Sequence, residues 1–267
     1  MDENLPTGNE QKKPVQQWAP SGKQIKVGSP NPAAKNINVD GRNLVSPLQG
    51  FGQLTQKTFT IRLPGVKLTE EEVMDIWKQN FQQFQPRDNT FYPSMVGIQP
   101  GEVLLIEAHV PPLPGLPSVM PVSTGVMVLY ADETSFTVMN PEGHPLSGWN
   151  TFSVHEEDGV LVARVQEQSR PSDPLYELFF RFLGSSAQQD KIWIHVLNQL
   201  AGYFGVKGDV STVKVVLDPK VQWSEAKLIW KSAAIRTVFY LIALPFIKVG
   251  KRLSGKKSSS ETESRRV

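Results

Sequence analysis

The sequence predicts an α+β fold that combines a meandering antiparallel sheet with a long helix near the C-terminal end of the domain. Three observations predict this fold. A capped amphipathic helix comes first, a run of short strands joined by turn residues extends from Phe91 to Gln168, and two helical patterns follow before residue 205. Short spacing and hairpin turns favour antiparallel pairing over parallel strands joined by helices.

The first strand and the first helix are marked by a change in the period of apolar residues. Lys57–Leu63 alternates apolar with polar residues, which predicts a half-buried strand. Thr69 and Glu72 have the spacing of a capping box, in which each side chain accepts a hydrogen bond from the other residue's backbone N–H. We expect the helix that follows to continue to Pro86. Its apolar face consists of Val73, Ile76, Trp77, Phe81 and Phe84.

Five further strands are predicted from short apolar or alternating runs that turn residues bound. They cover Val103–Val110, Val122–Tyr130, Ser135–Asn140, Trp149–His155 and Val160–Gln168. A Pro-rich link at 111–117 precedes the second of them, and a tight turn at Glu157–Gly159 precedes the last. One more short strand is expected at Val213–Leu217.

The apolar period becomes helical after residue 171. Asp173 before Pro174 indicates a helix start, because Asp caps the first turn and Pro fits within it. Gly184 ends that helix, and Ser186 with Gln189 predicts a second capping box. The next helix carries an apolar stripe formed by Ile192, Val196, Leu200 and Tyr203. A second stripe beside it widens the apolar face and consists of Trp193, Leu197 and Phe204.

The chain divides into four segments. Residues 1–50 contain isolated apolar residues without a period, so we expect them to be disordered or loosely draped, with Trp18 as a docking point. Residues 51–222 form the folded domain. Residues 223–250 predict an extra C-terminal helix that is amphipathic at first and apolar on all sides over 237–247. That run is too short to span a bilayer, which needs about 20 residues. Residues 251–267 are a low-complexity basic tail, expected to be disordered.

Charge and composition exclude several classes of function. Residues 248–267 carry seven Lys and Arg against two Glu, so this tail is about +5 and the rest of the chain about −3. No nucleic-acid partner is therefore expected. The absence of Cys excludes disulfides and thiol chemistry. The N-terminal residues lack the features of a signal peptide, so we expect a cytoplasmic protein.

One turn between two predicted strands carries a resemblance to a known family. The stretch Asn140–Val154 reads NPEGHPLSGWNTFSV. It resembles the hallmark of a START-like (SRPBCC, helix-grip) family, a domain of unknown function, in which a Gly-His-Pro segment precedes a Gly and then a Phe-x-Val strand. The matching residues are Gly143, His144, Pro145, Gly148, Phe152 and Val154, and Ser169, Arg170 and Pro171 resemble the end of a later family strand. The resemblance covers about 90–204.

The resemblance implies a helix-grip fold, in which a curved antiparallel sheet wraps around the long C-terminal helix. It also implies a cavity between the sheet and that helix for an apolar or lipid-like small molecule. The family has no settled activity, so no catalytic residue is carried over. The candidate ligand-binding residues are His144, Arg170, Trp193, Val196, Leu197 and Leu200. A bulkier side chain at Val196 or Leu197 is expected to block the ligand without unfolding the protein.

Each candidate also has a purely structural interpretation. His144 could bind a head group or move a proton near neutral pH, or its ring could fix the turn through backbone hydrogen bonds. Arg170 could bind a carboxylate or phosphate at the cavity mouth, or it could anchor a loop at the end of the sheet. The aromatic stripes could line a pocket or form ordinary core.

An enzyme is the second hypothesis, and the sequence leaves it open. Some helix-grip proteins are cyclases, dehydratases or hydrolases, and the candidate groups here are His144, Arg170, Glu107 and His109. Polar side chains that converge in the cavity would favour an enzyme, whereas an all-apolar lining would favour a carrier. His155-Glu156 lacks the second His of a zinc helix, and no nucleotide-binding motif occurs, so no metal or cofactor is predicted.

The C-terminal segment has three interpretations. It could lie in the interface of an anionic membrane, which would place the protein peripherally on the inner face of that membrane. It could dock on its own sheet or on a second protomer, or form a short re-entrant piece. The candidate contact residues are Trp230, Phe239, Tyr240, Phe246, Lys248, Lys251 and Arg252. A third functional hypothesis is an adaptor that uses both chain ends, which a truncation to about 52–222 with full activity would exclude. The oligomeric state is not predicted.

Overall fold

An eight-stranded antiparallel sheet is the centre of the computed structural model, which describes residues 17–20, 24–110 and 120–243. Its strands are β1 (Leu54–Leu63), β2 (Asn89–Tyr92), β3 (Val103–Val110), β4 (Met120–Ala131), β5 (Ser135–Met139), β6 (Leu146–Glu157), β7 (Val160–Pro171) and β8 (Ser211–Asp218). The strand order is β2-β3-β4-β5-β6-β7-β1-β8. Consecutive strands from β2 to β7 pair as neighbours, and β7 then pairs with β1. The predicted strands are confirmed, and β2 is an addition that is too short to show a period.

The described part of the chain contains α1 (Glu70–Gln79), α2 (Pro174–Phe182), α3 (Ser185–Tyr203), a helix at 233–243 that we label α4, and two 3-10 helices at Pro47–Gln49 and Trp223–Lys231. α3 packs against β1 and β7 on the inner face of the sheet, and α1 packs on β6. A curved antiparallel sheet around one long helix is the helix-grip arrangement. The predicted α+β fold is therefore confirmed.

Phe152 is the centre of an aromatic cluster that joins the sheet to the helices. It stacks on Phe136 of β5 with ring centroids 4.5 Å apart. It also meets Trp77, Phe81 and Trp193 edge to face, at 5.6, 5.3 and 5.5 Å. All five side chains are buried. The period-two alternation of β5 and β6 directs both Phe side chains to one face, and that face is where the helices pack.

Two of the three predicted helix starts form as expected. Thr69 Oγ1 accepts from the Glu72 N–H at 3.2 Å, and Glu72 Oε2 accepts from the Thr69 N–H at 2.8 Å. Asp173 Oδ1 accepts from the Tyr176 N–H at 3.0 Å, with Pro174 in the first turn of α2. Both caps satisfy backbone donors that the first helical turn leaves unpaired.

The capping box predicted at Ser186 and Gln189 is wrong. α3 starts directly after Gly184, which is in the left-handed region, and no side chain caps it. The sheet uses the two side chains instead, since Lys57 Nζ donates to Ser186 Oγ at 3.1 Å and Gln189 Nε2 donates to Glu167 Oε2 at 2.7 Å. Lys57 and Glu167 are both buried, and a buried charge needs hydrogen-bond partners more than a helix start needs a cap.

α1 ends about two turns earlier than we expected. Its last residue is Gln79, and the Asn80 side chain closes the helix by donating to the Ile76 carbonyl oxygen at 2.8 Å. The turn that follows still buries Phe81 and Phe84 in the core. Of the apolar residues that predicted a longer helix, the last two therefore lie buried in a turn after the helix ends.

The N-terminal segment is draped over the outer face of β3 and β4. Ile25 and Val39 are buried in a small cluster with Leu105. Trp18 forms an isolated bridge with Tyr130, and the two ring centroids lie 4.8 Å apart. Of the two expectations for residues 1–50, residues 24–50 follow the draped one. Residues 1–16 and 21–23 lie outside the described part of the chain.

The segment after β8 is a 3-10 helix followed by α4, rather than one continuous helix over 223–250. The break is at Ser232, whose backbone is not helical. Ser232, Ala233, Ala234 and Thr237 are all buried, so the start of α4 docks on its own domain. Among the helices of the described residues, none is long and apolar enough to cross a membrane.

Candidate functional site

A cavity of about 430 Å³ lies between the inner face of the sheet and helices α2 and α3. Its walls come from β2 to β6, from the turn between β5 and β6, and from both helices. Ala234 of α4 adds part of one side. The volume falls within the range of about 300–1,000 Å³ that is usual for small-molecule sites.

Most of the cavity wall is apolar. Its apolar side chains include Phe91, Ile106, Val122, Val126 and Val138 from the sheet and Phe179, Phe180, Ile192 and Trp193 from the helices. Such a wall holds a ligand mainly by removing its apolar surface from water.

Three polar residues interrupt the apolar wall at inner-face positions of the sheet. Thr124 lies two residues before Val126 on β4, and Asn150 lies two residues before Phe152 on β6. The period of two therefore turns both polar side chains to the inner face. Asn140 follows β5 directly and lines the same cavity.

Each of these three side chains keeps an unpaired polar atom. Thr124 Oγ1, Asn140 Oδ1 and Asn150 Oδ1 are buried, and none of them has a hydrogen-bond partner among the described residues. The three residues are only 2%, 1% and 7% exposed. Leaving one such atom unpaired costs about 1–3 kcal/mol. Three of them in one cavity wall indicate a place for a polar group.

His144 completes the polar part of the wall. His144 Nδ1 lies 3.1 Å from the Leu146 N–H and 3.0 Å from the Leu146 carbonyl oxygen, so it accepts from the first or donates to the second according to the tautomer. The same carbonyl oxygen accepts from Asn140 Nδ2 at 2.9 Å. Burial lowers the pKa of His144 to about 4, so the ring is neutral at pH 7. The ring fixes the turn through Nδ1, and Nε2 has no hydrogen-bond partner among the described residues.

Both ends of the chain hold the turn between β5 and β6. The Glu142 N–H donates to the Asn43 carbonyl oxygen at 2.9 Å, and Glu142 Oε1 accepts from Lys231 Nζ at 2.7 Å. The Ala233 N–H donates to the Gly143 carbonyl oxygen at 2.8 Å. This part of the cavity wall therefore depends on segments on either side of the predicted domain at 51–222.

In the part of the cavity wall that the structure describes, the charged side chains lie at the outer rim. Asp88 and Lys191 belong to the wall but are exposed. Among the described wall residues, no charged side chain lies beside the three unpaired polar atoms in the interior. A charged ligand group would lose its hydration there without an ion-pair partner.

Two of the six predicted ligand residues, His144 and Trp193, line the cavity. Val196, Leu197 and Leu200 do not, and they are part of the main core instead. The described cavity wall adjoins α3 from Ser185 to His195, whereas these three residues lie beyond His195. A bulkier side chain at Val196 or Leu197 would therefore strain the core rather than fill the cavity.

Arg170 lies outside the cavity and anchors a loop. Its guanidinium is buried, with Nη2 donating to Asp218 Oδ2 at 3.1 Å and Nη1 2.7 Å from the side-chain amide of Gln222. The period of β7 places Arg170 on the outer face, opposite to Val165. Of its two interpretations, the structure supports the loop anchor.

The four candidates for a catalytic role are not brought together. Arg170 is on the outer face of β7, and Glu107 is on the outer face of β3, 3.7 Å from Lys35. His109 is at the exposed rim, which leaves His144 in the interior. Polar groups do converge in the cavity, and of the four catalytic candidates His144 is the one that lies among them.

The C-terminal candidates divide into exposed and undescribed residues. Trp230 and Phe239 are 84% and 68% exposed, and Tyr240 is also exposed. Phe246, Lys248, Lys251 and Arg252 lie outside the described residues.

Sequence reasoning missed Thr124, Asn140, Asn150 and Tyr176 as cavity residues. A signal existed for Thr124 and Asn150, because each occupies a position that alternation assigns to the apolar face of its strand. Tyr176 gave no such signal, because its role depends on the docking of α4. Its hydroxyl accepts from the Ala234 N–H at 3.0 Å.

No family model matches this chain, and no curated protein matches it significantly. Solved structures superpose in part. Protein Ms6760 from Mycobacterium smegmatis is 12% identical with a TM-score of 0.39, covering 56% of this chain and 90% of its own. The di-domain ARO/CYC protein StfQ from the steffimycin biosynthetic pathway is 7% identical with a TM-score of 0.41, covering 58% of this chain and 53% of its own. Ara h 8.0201 is 12% identical with a TM-score of 0.35, covering 56% of this chain and 97% of its own.

The fold and the site together define the class of protein. The strand order and the position of α3 in this chain make it a helix-grip protein. Its cavity is apolar with one uncharged polar region. Among the described residues, no group of His, Asp and Glu could hold a metal ion.

Proposed function

We propose that this protein binds an apolar small molecule in the cavity between its sheet and α3. The observation that carries the proposal is the mostly apolar wall around about 430 Å³ of space. The Gly-His-Pro turn, whose sequence resembles the START-like (SRPBCC) hallmark, contributes His144 and Pro145 to that wall.

Mass spectrometry of the purified protein tests this proposal directly. Under native conditions we expect a stoichiometric adduct, which denaturing organic solvent should release as an apolar molecule. An empty protein that also binds no added apolar probe would contradict the proposed function.

A cavity-filling variant makes the test specific to the site. Ala108 lines the cavity from β3, so Ala108→Phe should occupy part of the space and remove the adduct. Thr60→Phe adds the same ring on the outer face of β1, where the adduct should persist. Circular dichroism spectra and unfolding midpoints of the two variants check that both remain folded.

Contact with an anionic membrane surface is a second candidate function. The supporting observation is a group of exposed apolar side chains, in which Trp230, Phe239 and Ile242 are 84%, 68% and 61% exposed. The basic residues Lys248, Lys251 and Arg252 follow in the sequence and would add attraction to anionic lipid. This contact would place the protein peripherally on the inner face of a membrane.

Flotation with vesicles tests the membrane contact. We expect the full chain to float with vesicles that contain phosphatidylserine and to float less with pure phosphatidylcholine. Phe239→Ser combined with Ile242→Ser should abolish flotation. The control Leu48→Ser changes an exposed residue that is distant in sequence from this group, and it should not affect flotation. Equal flotation of all three proteins would contradict the proposed contact surface.

A further inference from the structure

The polar region of the cavity wall restricts the chemistry of the ligand. The restriction rests on the proposed function, because it concerns the molecule that the cavity would hold. Its evidence is separate, however, and consists of the hydrogen-bonding state of four uncharged side chains.

Two of these side chains offer hydrogen-bond acceptors. The orientation of the Asn140 amide is fixed, because its Nδ2 donates to the Leu146 carbonyl oxygen at 2.9 Å. Its Oδ1 is consequently an acceptor, and it has no partner in the described chain. Asn150 Oδ1 is a second unpaired acceptor. Both atoms require an O–H or N–H group, which the apolar wall cannot supply.

The other two side chains each offer a group that can donate or accept. His144 Nε2 donates in the tautomer in which Nδ1 accepts from the Leu146 N–H, and it accepts in the tautomer in which Nδ1 donates to the Leu146 carbonyl oxygen. Thr124 Oγ1 can donate or accept, and it too is unpaired within the described chain. A group that both donates and accepts would satisfy the whole set.

The register of the sheet makes Asn140 and Asn150 diagonal neighbours on its inner face. Asn150 pairs with Val138, and Asn140 is two residues further along on the same face of β5. Such diagonal neighbours are about 7–8 Å apart, so one small polar group between their side chains can reach both. Thr124 lies on the adjacent strand β4.

We infer that the ligand is an uncharged, mainly apolar molecule whose buried end carries an O–H or N–H donor, such as an alcohol or a primary amide. The cavity discriminates against the carboxylate of the same chain length. A carboxylate has no hydrogen to donate to Asn140 Oδ1 or Asn150 Oδ1. The cation in the described wall is Lys191, and it lies at the exposed rim.

Calorimetric titration of the full-length, lipid-extracted protein tests the inference with three probes of equal chain length: decanol, decanamide and decanoate. At a pH of about 7 the carboxylate is ionised. We expect decanol and decanamide to bind at least about tenfold more tightly than decanoate, which corresponds to one or two hydrogen bonds. Decanoate binding as tightly as decanol would overturn the inference and leave the proposed function standing. Failure of all three probes to bind would contradict the proposed function as well.

Two near-isosteric variants locate the effect. Asn150→Leu and Thr124→Val each remove an unpaired polar atom and keep the volume of the side chain. We expect each to weaken decanol binding by about tenfold, to leave decanoate binding unchanged, and to raise the urea midpoint of the ligand-free protein. Thr60→Val, on the outer face of β1, should change none of these.

The two measurements should change in opposite directions, because decanol affinity should fall while the urea midpoint rises. This combination distinguishes ligand recognition from a structural role. A residue needed only for folding would lower the urea midpoint when replaced. Unchanged decanol affinity in both variants would show that the polar atoms bind ordered water rather than ligand, and would overturn the inference.

Discussion

Asn38 and Thr237, which are 199 positions apart in the chain, meet at a hydrogen bond of 3.0 Å from Asn38 Nδ2 to Thr237 Oγ1. Asn38 Nδ2 also donates to the Ser123 carbonyl oxygen at 2.8 Å, and the Ser123 N–H donates to Thr237 Oγ1 at 3.2 Å. β5 pairs with β4 only from Met127 onward, so it does not reach Ser123. The two terminal segments thus complete the hydrogen bonding of a strand that its neighbour leaves open.

Replacing Asn38 with Ala should destabilise the protein. The substitution leaves the buried Ser123 carbonyl oxygen and the Thr237 hydroxyl without this partner, so we expect a loss of about 1–3 kcal/mol in the free energy of unfolding. Urea denaturation measures it. Asn198→Ala, at an exposed position of α3, is the matched control and should change stability by less than about 0.5 kcal/mol. Equal effects of the two substitutions would show that the contact between the terminal segments contributes nothing.

Gly143 should tolerate no side chain. Its φ is +89°, and a Cβ would collide with the backbone of Lys231. We expect Gly143→Ala to lose roughly 3 kcal/mol of stability, since strain at positive φ adds to the clash. Displacement of 231–237 should also increase proteolysis in that segment.

Gly65→Ala separates the two causes of this loss. Gly65 has a similar φ of +78° but nothing within 4 Å of an added Cβ. It should therefore lose only the backbone contribution, about 1 kcal/mol. If both variants lost the same free energy of unfolding, close packing of the Lys231 backbone against Gly143 would not contribute to the loss.

His144 should make stability depend on pH. Its pKa is lowered by burial to about 4 in the folded protein, against an ordinary value of 6.5. The unfolded chain therefore binds the proton more readily, and the stabilisation is complete above about pH 6.5 and declines as the pH falls towards 4. A pKa difference of one unit corresponds to about 1.4 kcal/mol, so the free energy of unfolding should fall by up to about 3 kcal/mol over this window.

His144→Gln should flatten the stability curve between pH 4 and 6.5 relative to the unmodified protein. Urea midpoints measured across this window provide the comparison. His109→Gln, at the exposed rim, serves as control and should keep the original slope. A His144→Gln curve parallel to that of the unmodified protein would refute the assignment of this slope to His144.

Phe152→Leu should weaken the centre of the core. The substitution removes one stacked and three edge-to-face ring contacts, and we expect a loss of about 1–2 kcal/mol in the free energy of unfolding. The same substitution at Phe182, which is exposed on α2, should be nearly neutral. A comparable loss at the two positions would contradict the central position of Phe152.

The sequence predicted the sheet and the helices because their signals are local. Alternation in β1, the Thr69 and Asp173 caps and the helical stripe of α3 each depend on residues close together in the chain. Where a side chain has a stronger distant partner, local reasoning fails. Ser186 and Gln189 illustrate this failure, since the buried charges of Lys57 and Glu167 occupy them in place of a cap.

The α+β class, the antiparallel sheet and the presence of His144 in a Pro- and Gly-rich turn follow from the amino-acid sequence. The residues that line the cavity follow from the tertiary structure alone, because the lining depends on which part of α3 faces open space and which part faces the core. The tertiary structure also decided that Arg170 anchors a loop and that Asn140, Asn150 and Thr124 meet in one wall. These relationships join residues on different strands and helices, and the period of a single element carries no information about its neighbour.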